Sequence, residues 1–115
     1  MRVEKYIPEA IKLLERDFGS KIPSSYNGYI SSFGASIMQS GLKITIAIFE
    51  DMNKNSKQDK SYLTKLIAEI LTGEQKSLLR YIINSNEDEE ILKQKIIDIA
   101  IAIKLAIRTF ELEKK

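Results

Sequence analysis

The stretch Gly41–Asp51, GLKITIAIFED, decides the fold class, because its apolar residues fit both a strand and a helix. Every second residue from Leu42 to Ile48 is apolar, which is the two-residue period of a half-buried strand. On a helical wheel, however, Leu42, Ile46 and Phe49 share one face and the other two isoleucines share another. Periodicity alone leaves both structures open.

The remainder of the chain favours the helix. No other segment has the pattern of a strand, and a strand without a partner leaves its backbone hydrogen-bonding groups unsatisfied. We therefore predict that residues 42–50 form a central helix that is buried on most of its circumference.

Two further helices are predicted before this segment. Apolar residues in the stretch 4–19 recur at helical spacing, with Pro8 either in the first turn or at a bend and Gly19 as the stop. Apolar residues between Ser24 and Gly41 recur in the same way, with Pro23 suited to the first turn. Small residues in this second helix form a face that another helix could approach closely, namely Gly28, Ser31, Ser32, Gly34, Ala35 and Ser36.

Three more helices are predicted after the polar loop 52–60. The first covers about 61–72, the second 74–84 with Thr72 and Gln75 as its capping pair, and the third runs from the acidic cluster after Asn86 to about Leu112. The last helix would have about 25 residues, and its nearly continuous apolar stretch 96–107 must be surrounded by protein. We therefore predict an all-α, compact bundle of five to six helices with a long C-terminal helix, in a single domain over residues 1–115.

The amino-acid composition argues against most kinds of enzyme and zinc site. The chain of 115 residues has neither cysteine nor histidine, so it lacks the side chains that most zinc sites and most acid–base catalysts use. We therefore expect no enzyme activity, no metal and no cofactor. No run of about 18 apolar residues indicates a membrane span, and residues 1–4 do not resemble a signal peptide, so we expect a cytoplasmic protein.

Two polar clusters resemble metal sites but are better explained otherwise. Residues 51–62 match several oxygen-ligand positions of a calcium loop, but Ser56 replaces its glycine and Tyr62 its bidentate glutamate. The acidic run 87–90 suits the N-terminus of a helix, where the helix dipole favours negative charge. Neither cluster predicts a metal site.

Basic residues are the candidate functional residues. The net charge of +2 does not by itself indicate nucleic-acid binding, so only a local cluster could do so. Two pairs have the four-residue spacing that places both side chains on one helix face, and two more lysines lie in the polar loop. Exposed helices also carry such residues for solubility alone. The RNA-binding candidates are Lys104, Arg108, Lys76, Arg80, Lys54 and Lys57.

The residues SYNGYISSFGASIMQSGLKITIAIFED, from Ser25 to Asp51, together with the terminal AIKLAIRTFELEKK, resemble a known family. The family that these residues resemble is the small helical subunit of the type III-B CRISPR effector, which is called the Cmr complex. The family's last helix tends to end in a cluster of two basic residues and an aromatic one. Arg108 and Phe110 match that cluster, while Thr109 stands where the second basic residue is expected.

The resemblance implies a non-catalytic role in antiviral defence. Members of the family are all-α bundles that stack head to tail and line the groove where guide RNA pairs with target RNA. The implied partners are the backbone and large Cmr subunits, further copies of the chain, and guide and target RNA. Lys and Arg would contact phosphates without reading bases. Two alternatives remain open, the small subunit of the type III-A effector and a helical protein–protein adaptor without nucleic-acid binding.

Overall fold

The computed structural model of the chain describes residues 2–50 and 60–113. In these ranges the chain forms six α-helices and a pair of short strands. In order they are α1 (Arg2–Phe18), β1 (Lys21–Pro23), α2 (Ser25–Ser40), α3 (Leu42–Glu50), α4 (Ser61–Thr72), α5 (Leu78–Asn84), α6 (Glu89–Ile107) and β2 (Glu111–Glu113). The predicted all-α bundle with a long helix near its C-terminal end is confirmed.

Helix α6 is the centre of the core. It packs against α1, α2 and α4, which together cover most of its surface. The predicted enclosure of its apolar stretch is therefore largely confirmed. Ile101 and Leu105 are exceptions, with 42% and 37% of their surfaces exposed. The buried residues of α6 are Leu92, Ile96, Asp98, Ile99, Ala100, Ala102, Ile103, Ala106 and Ile107.

Helix α3, the segment whose apolar residues fit both a strand and a helix, is helical as predicted, but only one of its two apolar faces is buried. Leu42, Ile46 and Phe49 face the core, and the Phe49 ring meets that of Phe33 edge-on at 5.1 Å between centroids. Ile44 and Ile48 lie outside, with 58% and 41% of their surfaces exposed. The prediction of burial on most of the circumference was wrong, because α3 lies at the rim, where α2, α4 and α5 cover one side of it.

The two strands form a short parallel ladder that the sequence did not predict. Lys21 pairs with Glu111 and Pro23 with Glu113, so Pro23 lies in a strand and not in the first turn of α2. The ladder buries Ile22 completely. The predicted end of the last helix near Leu112 was wrong, because α6 stops at Ile107 and the chain then enters β2. Three-residue strands are too short for their side-chain alternation to be recognised in a sequence.

Helix ends were predicted well where glycine sets them and less well where a polar side chain does. The stops at Gly19, Gly41 and Gly73 are confirmed, since each directly follows the last residue of a helix. The cap of α5 is Ser77, not Thr72, and its Oγ accepts a hydrogen bond from a backbone N–H of that helix at 3.2 Å. The cap of α6 is Asp88, two residues after the predicted Asn86.

The small-residue face of α2 is not closely approached by another helix in the described part of the chain. A methyl group added to Gly28 or Gly34 would meet no neighbouring atom within 4 Å. Ser31, Ser32 and Ala35 of the same face are exposed. The predicted close helix contact is therefore absent among these residues.

A charged network joins α1 to α4 at the surface. The Arg16 guanidinium donates to both carboxylate oxygens of Glu69, at 2.7 and 3.0 Å, and its Nε donates to Asp17 at 2.8 Å. The Tyr62 hydroxyl also donates to Asp17, at 2.6 Å. Hydrogen bonds from Arg16 hold the pKa of Asp17 and of Glu69 below their usual values of 3.8 and 4.5. Both carboxylates therefore stabilise the fold in their charged form.

Ile99 and Ile101 offer a direct test of the packing around α6. Ile99 is fully buried and Ile101 is 42% exposed. We expect Ile99→Ala to lower the free energy of unfolding by roughly 2–5 kcal/mol, because it leaves a cavity. The matched control Ile101→Ala should change it by less than about 1 kcal/mol. Urea denaturation measures both values, and equal losses for the two variants would contradict this packing.

The charged network predicts a pH dependence of stability. The lowered pKa values of Asp17 and Glu69 mean that their contribution is fully present above about pH 4.5 and is lost as the pH falls through the folded-state pKa values. At neutral pH we expect Arg16→Gln to lower the free energy of unfolding by about 1 kcal/mol or less, because the network is solvent-exposed. The two proteins should converge as the pH falls below the folded-state pKa values of Asp17 and Glu69. Urea denaturation across the pH range measures this difference, and a pH-independent gap would contradict the role given to Arg16.

Candidate nucleic-acid interface

Several cations of the described chain are engaged by carboxylates and are poor candidates for ligand contact. Lys43 lies 3.2 Å from Glu89, and Lys93 lies 3.9 Å from Glu90. Arg16 is held in the network between α1 and α4. A cation with a carboxylate partner must exchange that partner for a phosphate before it can neutralise it. Cations without such a partner are therefore the stronger candidates.

The predicted pair Lys76 and Arg80 lies in one groove on α5. The groove has a volume of ≈ 330 Å³ and is lined by Lys76, Ser77, Arg80, Tyr81, Asn84 and Ser85. Arg80 is exposed and makes no salt bridge with another described residue, whereas the Lys76 ammonium lies 3.0 Å from the exposed carboxylate of Glu74. The same ammonium lies 5.9 Å from the centre of the Tyr81 ring. The groove therefore combines positive charge with an aromatic ring.

Helix α5 is held by its buried face and by its N-terminus. Leu78 and Ile82 bury its inner face. At its start, the Glu50 carboxylate at the end of α3 accepts hydrogen bonds from the Ser77 hydroxyl at 2.8 Å and from the Leu79 N–H at 3.0 Å. This anchoring leaves Arg80 exposed on the outer face of the short helix.

The second predicted pair, Lys104 and Arg108, lies near the C-terminal end of α6. Lys104 is partly buried and Arg108 is exposed, and neither makes a salt bridge within the described ranges. Glu111, three residues after Arg108, begins β2. Ile101, Lys104, Leu105 and Arg108 have the spacing of one helix face, so exposed apolar and basic side chains alternate there.

The two predicted pairs lie in different parts of the fold, and neither Lys104 nor Arg108 lines the groove that contains Lys76 and Arg80. The lysines Lys54 and Lys57, which the sequence also proposed, lie outside the described residues.

A second groove involves residues that the sequence analysis missed. It has a volume of ≈ 410 Å³, lies between α1 and α6, and is lined by Lys5, Tyr6, Glu90, Ile91, Gln94 and Lys95. The Lys5 ammonium lies 5.4 Å from the centre of the Tyr6 ring. A hydrogen bond to Glu87, at 2.7 Å, is the main cause of the raised pKa of Lys95, and the phenols of Tyr6 and Tyr81 add to it.

No sequence signal could have identified this second groove. Lys5 and Tyr6 stand near the start of the chain and Lys95 near its end, and only the packing of α1 against α6 brings them together. Tyr81 could have been noticed, because it follows Arg80 in a segment predicted to be helical.

Neither a metal centre nor a membrane span is found in the part of the chain that the structure describes. There, no group of three or more carboxylates is placed to hold a metal ion. No described helix is long and apolar enough to cross a membrane. The loop that partly resembles a calcium site falls on residues 51–59, outside the described ranges.

The fold and these surfaces define a class: a small α-helical protein whose candidate site consists of exposed basic and aromatic side chains. The family model described as CRISPR-associated protein (Cas_Cmr5) matches residues 2–105, so the chain belongs to this family of the Cmr type III-B system. The resemblance noted in the sequence is therefore confirmed. The matched span includes Lys76, Arg80 and Lys104 but ends before Arg108. No curated protein and no solved structure matches the chain.

Proposed function

We propose that the chain is a non-catalytic structural subunit of a type III-B CRISPR (Cmr) RNA-targeting effector complex in antiviral defence. It stacks along the backbone filament and helps to hold guide and target RNA through phosphate contacts. Its partners are the backbone and large subunits, copies of itself and the two RNAs. Membership of the Cmr family supports a place in a multisubunit complex.

The observation that carries the RNA part of the proposal is the set of cations without carboxylate partners. Among the described residues, Arg80, Lys104 and Arg108 make no salt bridge, so they can neutralise phosphates without first breaking an ion pair. Their side chains stand on helices and can follow a nucleic-acid backbone, but they do not form a deep pocket that would read bases. Sequence selection then rests with base pairing to the guide.

Exposed apolar side chains support the assembly part. Ile44 and Ile48 of α3 are 58% and 41% exposed and lie one turn apart, and Ile101 and Leu105 make a similar pair on α6. Single exposed apolar residues are ordinary in soluble proteins, but such pairs on successive turns suit burial against another subunit. The two pairs stand on different helices, so one copy can contact two neighbours.

The non-catalytic part rests on side-chain chemistry. The chain contains neither histidine nor cysteine, which leaves only carboxylates, lysine, serine and tyrosine for acid–base or nucleophilic work. The grooves contain no buried carboxylate pair among the residues that line them. Cleavage chemistry is therefore assigned to other subunits of the complex.

The alternatives differ in how they use the same surfaces. A helical adaptor without nucleic-acid binding would use the exposed isoleucines alone, and its partner binding would depend little on salt. The small subunit of a type III-A effector would also carry basic helices, but it would assemble with the backbone subunit of that complex. The match to the Cmr family favours the type III-B assignment.

Neutralising the basic pairs tests the RNA contacts. We expect the wild-type chain to bind single-stranded RNA weakly, without sequence preference, and less tightly as salt rises. The double variants K76Q/R80Q and K104Q/R108Q should each bind more weakly, and each lost phosphate contact should reduce the slope of log affinity against log salt by about 0.7. Fluorescence anisotropy with a labelled oligonucleotide measures both quantities.

The control is K43Q/K93Q, which removes the same net charge from two carboxylate-paired lysines that line neither the α5 groove nor the groove between α1 and α6. It should leave RNA binding nearly unchanged. Equal RNA binding by all three double variants and the wild type, together with unchanged co-purification of the backbone subunit, would contradict the proposal. Partner binding that persists at high salt without any RNA retention would favour the adaptor.

A further inference from the structure

The α5 groove contains more than phosphate contacts require. Beside Lys76 and Arg80 it presents the Tyr81 ring, the Asn84 amide and the Ser85 hydroxyl. Phosphate binding needs only the cations. An aromatic ring with neighbouring amide and hydroxyl groups instead suits a nucleobase, which offers a flat face and polar edges.

Tyr81 is placed so that a base could reach it. The ring is half-buried and packs against the core, which fixes its position, yet part of it lines the open groove. The Lys76 ammonium lies over the ring, 5.9 Å from its centre, and this exposed lysine would move aside for a stacked base. A ring held from behind loses little side-chain freedom when a base stacks on its open side.

Two polar side chains of the groove lie on the same face of α5. Arg80 and Asn84 are four residues apart, so they stand one above the other on the face that borders the groove. Its volume of ≈ 330 Å³ lies at the lower end of the range for small-ligand sites, which suits one nucleotide unit better than a folded partner.

The groove between α1 and α6 has a similar combination of groups. Tyr6 has the Lys5 ammonium 5.4 Å from its ring centre, and Lys95 borders the same groove. Each of the two grooves therefore offers an aromatic ring with a cation close to it.

We propose that the α5 groove binds unpaired RNA: one base stacks on Tyr81 while Lys76 and Arg80 contact its phosphates, and the groove between α1 and α6 offers Tyr6 to another base. This inference rests on the proposed RNA-binding function and specifies which RNA and which surface. The RNA must be unpaired there, because bases inside a duplex are already stacked on one another and their faces are not accessible.

Carboxylates in and beside the two grooves limit how much of the binding is electrostatic. Glu74 pairs with Lys76, Glu87 pairs with Lys95, and Glu90 lines the second groove. These partners reduce the net positive charge, so stacking must supply a large share of the affinity. A loss of stacking should then weaken binding without changing its salt dependence, which distinguishes Tyr81 from the cations.

The test compares Tyr81→Leu with the matched control Tyr81→Phe, which keeps the ring. The probe is a fluorescein-labelled single-stranded oligouridylate, and the same strand annealed to its complement serves as the duplex. We expect Tyr81→Leu to weaken single-strand binding by about five-fold or more with an unchanged salt slope. Tyr81→Phe should stay within about two-fold of wild type, and neither variant should alter duplex binding. Tyr6→Leu should show a smaller loss of the same kind.

The outcomes separate this inference from the proposed function. If Tyr81→Leu binds the single strand as wild type does while K76Q/R80Q binds more weakly, the stacking site is wrong and the phosphate-binding role stands. If Tyr81→Leu weakens single-strand and duplex binding equally, Tyr81 only supports the fold and the inference is overturned. If the wild-type chain binds neither RNA form, both proposals fail. Thermal unfolding followed by circular dichroism verifies that each variant is folded.

Discussion

Burial of the apolar stretch of α6 is the constraint on which the rest of the structure depends. Between Ile96 and Ile107 the helix is apolar on most of its circumference, so it is stable in water only when other helices surround it. Helices α1, α2 and α4 do this, and they occupy the positions next to α6. The shorter α3 and α5 are left at the rim, where α3 packs on α2 and α4 and α5 packs on α3 and α4.

This division between centre and rim explains where the candidate functional surfaces are. A rim helix has one buried face and one free face, so α3 exposes Ile44 and Ile48 and α5 exposes Arg80 and the rest of its groove. On α6 itself Ile101 and Leu105 reach the surface within the apolar stretch, as Ile91 does near the start of the helix. The same packing that builds the core therefore leaves exposed apolar and basic side chains on α3, α5 and α6.

The sequence was sufficient to predict the helices but not the surfaces between them. Residues 42–50 could be assigned to a helix because no second strand was available to pair with them, and the family could be recognised from the same region. Which face of α3 would be buried could not be predicted, since Ile44 and Ile48 are as apolar as the residues that face the core. The parallel ladder at Ile22 was invisible for a different reason, because it joins two three-residue segments from distant parts of the chain.

The candidate site, like the fold, could be predicted only in part from the sequence. Lys76 with Arg80 could be proposed from their four-residue spacing, and the structure places both in one groove. The contribution of Tyr6 and Lys95 depends on the contact between α1 and α6, which no local pattern encodes.

Native-state amide hydrogen exchange tests the central position of α6 most directly. We predict that amides between Ile96 and Ile107 exchange only through global unfolding, while those of the short rim helix α5 open locally and exchange faster. Amides in the middle of α6 that exchange as fast as those of α5 would contradict the account, because the helix could not then be the enclosed core of the bundle.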